Sequence, residues 1–221
     1  MIKLTMGLAI IRILGIIVFL YLLWRNLKES YDDQKIIEFS WLALLGFLVF
    51  GRLGYGLINW GIWNKDLVDW LSVWNKPGMS YTSGYLGVVL VGWLYTKKQQ
   101  WKFLNFFEDL VDPFLIMVIL MMVDEWVRSK FSWQVLIYIL MIILIYLLGD
   151  WLGKRYRSFV WYKSGKKGFV LLATNFLFFL VLSVVFGVFR DSVINMILAL
   201  AISLVSVVGL FILGGTKNER K

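Results

Sequence analysis

"LLGFLVFGRLGYGLINWGIW", residues 44–63, decides how the rest of the chain is read. It is 20 residues long and carries one charge, Arg52. About 20 mostly apolar residues is what a helix needs to cross a bilayer. The same signature recurs along the chain. Seven long apolar segments fall roughly at 6–24, 37–60, 81–95, 103–123, 132–151, 169–189 and 192–213. The third is short, and the fourth carries acids in its first half. The expectation is an all-α integral membrane protein with about seven transmembrane helices. No linker rich in Pro, Gly or Ser divides it, so it reads as one domain over 1–221.

Composition points the same way. The 221 residues are 60% hydrophobic, against about 45–50% in a soluble domain, and the mean hydropathy is +0.77. The first segment follows Lys3 and runs apolar from Met6 to Trp24 without a small-residue cleavage site. It therefore reads as a retained span rather than a signal peptide. There are no cysteines and no histidines. That removes disulfides, thiolate or imidazole zinc sites and histidine bases, and no metal or cofactor is expected. The net charge of +9 fits loops that face anionic lipid headgroups. No Lys/Arg run is interleaved with stacking aromatics in a soluble setting, so nucleic acid is not an expected partner.

The charges also set an orientation. The first, third and fifth connections and the C-terminal tail hold 15 Lys and Arg; the N-terminus and the other connections hold 6. The positive-inside rule then puts the N-terminus outside and the C-terminus in the cytoplasm. The connection near 61–78 lies outside on this scheme. Trp60, Trp63, Trp70 and Trp74 recur there near helical spacing. That fits an amphipathic helix in the headgroup layer, or a plain aromatic belt.

Polar groups at membrane depth are the informative ones, because a charge at the bilayer centre costs at least about 2.5–3.5 kcal/mol. Arg52 is the first. Gly51 and Gly54 strip side chains from around it, so a neighbour or a ligand can approach. Asn59, two turns on, shares its face. A guanidinium suits bidentate phosphate binding; it could equally pair with an acid on another helix. Glu108, Asp109 and Asp112 form the second group, closed by Pro113. Carboxylates at this spacing share a helix face and could do acid–base work, or pair with Arg52 or with Lys97, Lys98 and Lys102. Pro113 is expected to kink the span and free carbonyls that a neighbour must satisfy. The third group is "GMSYTSGYLG", residues 78–87. Ser80, Tyr81, Thr82 and Ser83 could turn donors toward a headgroup, or simply start a helix with Ser80 or Thr82 as N-cap. The fourth is Arg190 beside Asp191, a loop ion pair or a lean over a headgroup site.

The chain resembles the prolipoprotein diacylglyceryl transferases. Phe50-Gly51-Arg52-Leu53-Gly54-Tyr55 is similar to that family's Gly-Gly-Arg-Ile/Leu-Gly-Tyr, apart from the first glycine. Gly78-Met79-Ser80-Tyr81-Thr82-Ser83-Gly84 is similar to its Gly-Met-Ser-Phe-His-Gly-Gly. Asp109 and Pro113 keep its Asp followed four residues on by Pro. The resemblance covers roughly 37–115. It implies seven spans, N-out and C-in, in the plasma membrane. It implies transfer of a diacylglyceryl group from phosphatidylglycerol to the lipobox cysteine of a secreted prolipoprotein, without metal or cofactor. It also implies a headgroup site on Gly51, Arg52, Gly54, Tyr55, Ser80, Tyr81, Thr82, Ser83 and Arg190.

The departures are as specific. The family histidine falls at Thr82. The family's second arginine motif falls on "MVILMMVDEW", residues 117–126, with Val123 near the arginine position and Trp126 near the first asparagine. The Arg and Glu of its penultimate span have no counterpart in "FLFFLVLSVVFGVF". Three readings therefore stand: a divergent active transferase, a non-catalytic phospholipid-binding or scaffolding relative, and a small transporter component. The last calls for polar stripes along several spans, and spans five to seven lack them.

Overall fold

The glycines around Arg52 let two helices touch backbone to backbone, and the rest of the architecture hangs on that seam. The computed structural model describes residues 2–59, 79–159, 161–162, 164, 166–188 and 192–215. Its helices are α1 (Ile2–Leu27), α2 (Asp33–Ile58), α3 (Tyr81–Lys98), α4 (Phe103–Glu108), α5 (Val111–Arg128), α6 (Trp133–Arg155), α7 (Phe169–Val188) and α8 (Val193–Gly215). The segment near 61–78, expected as an amphipathic helix, and Arg190 lie outside the described residues.

The chain is an all-α membrane protein. Among the described residues, four helices are long and apolar enough to cross a membrane: α2, α6 with its closing 3-10 turn, α7 and α8. The helices α1, α3 and α5 have 26, 18 and 18 residues. Large apolar side chains such as Leu147, Val205 and Phe211 stand exposed on the outside of the bundle. In water such a surface would be a liability; against lipid it is the favoured state.

The long helices alternate in direction. α2 packs along α3 and α7 along α8, while α1 with α5 and α5 with α6 tie the halves together. Membrane helices gain little from apolar burial against each other, so close backbone approach carries much of their packing. A Cβ on Gly87 would sit 2.5 Å from the Gly46 carbonyl oxygen, and one on Gly51 would sit 3.3 Å from that of Ser80. At Gly87 any side chain would displace the facing backbone; at Gly51 a methyl would be a tight fit against Ser80.

The expected fourth span, 103–123, is a single segment in the sequence but two helices in the structure. The break falls at Asp109–Leu110, and the longer helix begins at Val111. Pro113 explains it. A proline ring clashes with the carbonyl four residues earlier, which here belongs to Asp109. Pro113 therefore sits in the first turn of α5, where its missing N–H is not needed. It starts that helix rather than kinking it. The freed Asp109 carbonyl accepts from Asn26 Nδ2 at 3.3 Å.

The densest core lies at this end of the bundle. Leu23, Leu27, Ile36, Phe39, Tyr95 and Phe106 are buried together there. Phe106 meets Tyr31 and Phe39 edge-on, with centroids 5.3 and 4.7 Å apart. Tyr31 also meets Trp101 at 4.3 Å. These rings join the first and third connections. Gly168, in the fifth, packs on Leu104, and Trp161 in the same connection lies against Gly214 near the end of α8. The first, third and fifth connections and the end of α8 thus come to one pole.

Candidate functional site

The opposite pole gathers the motifs around Arg52. The Ser80 N–H donates to the Gly51 carbonyl at 2.9 Å. This places the start of α3 directly against the glycine step of α2. Ser80 is the N-cap of α3: its hydroxyl accepts from the Ser83 N–H at 3.3 Å. Ser83 Oγ lies 3.0 Å from Ser80 Oγ, and Gly54 leaves the room that Ser83 occupies. Arg52 is 1% exposed on this face of α2, and Thr82, in the first turn of α3, is 1% exposed.

A group that the sequence did not single out closes the cluster. Asn195, near the start of α8, accepts from the Ser80 hydroxyl at 3.0 Å. Deeper on the same side of α3, Asn175 of α7 donates to the Tyr85 hydroxyl at 2.7 Å. Asparagine within an apolar span is itself a signal, because an unpartnered amide there is costly. Among the described residues the buried Thr82 hydroxyl has no hydrogen bond.

Other expected members fall elsewhere. Tyr81 is 61% exposed, its ring 6.4 Å from that of Phe47, so it faces the lipid side. Asn59 ends α2 and donates to the Tyr55 carbonyl at 2.9 Å, which occupies it as a cap. Arg190 lies outside the described residues.

The acids 108, 109 and 112 stand at the far pole. α3 alone, at 18 residues, separates the two ends by about 27 Å. These acids are therefore not partners of Arg52. Glu108 accepts from the backbone N–H groups of Gly168 and Val170, the latter at 3.3 Å. It caps the start of α7 from another helix, where a carboxylate also suits the helix dipole. Burial pushes its carboxyl up, and these two hydrogen bonds pull the other way. Asp109 pairs with Lys167 at 3.6 Å. Burial likewise raises its carboxyl, opposed by Lys167. An open cleft of about 460 Å³ lies here, where Arg25 and Lys28 face Glu29 and all three acids. Four carboxylates against two cations leave this cleft acidic.

The seam that joins the Gly51–Gly54 and Ser80–Gly84 motifs is also where comparison with known proteins falls. The sequence profile of the family described as prolipoprotein diacylglyceryl transferase matches residues 6–123. The chain belongs to that family. It is 33% identical over 109 residues to the phosphatidylglycerol–prolipoprotein diacylglyceryl transferase of Neisseria gonorrhoeae, covering 48% of this chain and 38% of that one. The same enzyme of Azoarcus sp. is 32% identical over 91 residues, covering 39% of this chain and 34% of that one. That of Rickettsia felis is 30% identical over 87 residues, covering 39% and 33%. The matched stretch thus spans little more than a third of these relatives. It takes in α1 to α4 and most of α5; α6, α7 and α8 lie beyond it.

Proposed function

We propose that this transferase-family protein binds a phospholipid headgroup, phosphatidylglycerol by preference, on Arg52, Ser80, Thr82 and Ser83 in the outer leaflet. The observation that carries the reading is the seating of the Arg52 step of α2 on the N-terminus of α3, with Arg52 1% exposed. A guanidinium beside a helix N-terminus is matched to a phosphate oxyanion. A buried Thr82 hydroxyl offers one more donor. The alternating charge supports seven spans in the plasma membrane with the N-terminus outside, which puts this pole at the outer leaflet.

In a transferase, the lipobox cysteine sulfur would attack the glyceryl carbon. A C–S bond would form as the C–O bond to phosphate breaks, and glycerol phosphate would leave with the electron pair. Arg52 would hold that phosphate as its charge grows. The thiol proton needs an acceptor, and this chain has no histidine. Thr82 stands where the family places one, and a hydroxyl is no base near neutral pH. That observation favours a second reading, a relative that binds the lipid without transferring it.

Labelled phosphatidylglycerol and a lipobox peptide, in membranes carrying this chain, separate the two. Diacylglyceryl transfer that is lost in Arg52→Ala supports the enzyme and removes the second reading. Lipid retention lost in Arg52→Ala, without transfer in the wild type, supports the binding protein. Retention unchanged in Arg52→Ala, with no transfer, overturns both.

A further inference from the structure

Three helices reach the basic pole with the same ending. Trp24 lies in the last turn of α1 with Lys28 just beyond it, while Trp93 and Lys97 end α3 and Trp151 and Arg155 end α6. Each cation stands four residues after its tryptophan, one helical turn on, and so shares its face. In all three the cation lies over the ring, at 4.5, 5.4 and 5.3 Å from its centroid. Trp93 and Trp151 are 48% and 45% exposed, and all three cations are exposed. The three helices run the same way; the aromatic cluster around α4 gathers the ends of α1 and α3, and α6 reaches the same pole with Gly153 against Val170, whose N–H donates to Glu108 of α4.

A tryptophan at the edge of an apolar helix settles at the headgroup level. A cation held over its ring is then fixed at that same level, instead of snorkelling freely into water. We propose that these three pairs form a contact surface for anionic phospholipids, with the rings at the ester level and the cations on the phosphates. The partner is the lipid surface itself, selected by negative charge. The geometry explains why the positive charge of this pole is not confined to its loops. It is independent of the headgroup site at the other pole.

The preference of the reconstituted full chain for spin-labelled phosphatidylserine over phosphatidylcholine measures this surface, through the motionally restricted lipid fraction. The wild type is expected to prefer the anionic lipid. The triple variant Lys28→Gln, Lys97→Gln, Arg155→Gln should lose most of that preference, by up to about fivefold per cation. Lys28→Arg with Lys97→Arg should keep it. Raising salt toward molar concentrations should weaken it in the wild type, a measurement that needs no variant to fold. A wild type without preference, or one unchanged by salt, overturns the proposal. So does a folded triple variant that retains the wild-type preference. A preference lost in Arg52→Ala but kept in the triple variant assigns the lipid to the other pole and overturns it as well.

Discussion

The α2–α3 seam and the α7–α8 seam hold their helices together by different means. α2 and α3 touch through backbone: Gly46 against Gly87, Gly51 against Ser80. α7 and α8 are as closely associated but meet through side chains, as where Gly209 faces the Leu172 methyl groups. A polar bond does cross that second seam, from the Ser203 hydroxyl to the Phe176 carbonyl at 3.2 Å. The first seam lies within the family match and carries Arg52; the second lies outside it. Backbone contact fixes geometry closely, which a phosphate site requires. Side-chain contact tolerates exchange of one apolar residue for another.

The largest expected effect tests whether the first seam exists to position Arg52. Arg52→Ala should weaken phosphatidylglycerol retention by about 2–5 kcal/mol, the usual loss for removing one side of a buried charged contact. Arg52→Lys should recover only part, because an ammonium lacks the planar fork. Full retention by Arg52→Lys would mean that only charge is used there.

The next effect separates the seams directly. Gly87→Ala drives a methyl into the Gly46 carbonyl, which is backbone and cannot rotate away, so about 1–3 kcal/mol of stability should be lost. Gly209→Ala meets Leu172 Cδ1 at 3.1 Å, a flexible tip, and gains up to about 1 kcal/mol of helix propensity. Its net change should be small. Thermal midpoints in detergent measure both, and equal losses would erase the distinction between the seams.

The first seam was legible in the sequence because glycine and arginine in an apolar run are costly exceptions. The motifs at 51–54 and 79–84 lie against each other in the fold. The α4–α5 break was less legible: Pro113 flagged it, but not whether the proline would bend one helix or begin another. Asn175 and Asn195 passed unnoticed because each is a single neutral residue in a long apolar segment. Their meaning comes from Tyr85 and Ser80, 90 and 115 residues away.

Those asparagines also join the two halves. Asn195→Ala should cost about 0.6 kcal/mol, the average for a hydrogen bond between membrane helices. Its coupling to Ser80→Ala in a double-mutant cycle should account for most of that loss. Coupling near zero would mean that Ser80 is held by its own helix alone.

Glu108 makes the corresponding joint at the other pole, from α4 to the start of α7, and its effect is the smallest. Its carboxyl is raised above the usual 4.5 by burial, which outweighs the opposing Gly168 and Val170 hydrogen bonds and the charge of Lys167. A raised folded value means that the fold binds a proton more tightly than the unfolded chain does. The contribution to stability is therefore fully present below pH 4.5 and is lost as the pH rises through the higher folded value. Both N–H groups bond to the same carboxylate oxygen, so Glu108→Gln keeps one acceptor for them and removes the titration. The wild type should lose thermal stability over this interval more steeply than Glu108→Gln, and the difference between the two curves isolates Glu108 from Asp109, which shifts in the same direction. Parallel curves would mean that water reaches the carboxylate and that the cap works in its charged form at every pH. The joint between the halves would then be electrostatic, unlike the neutral hydrogen bond at Ser80.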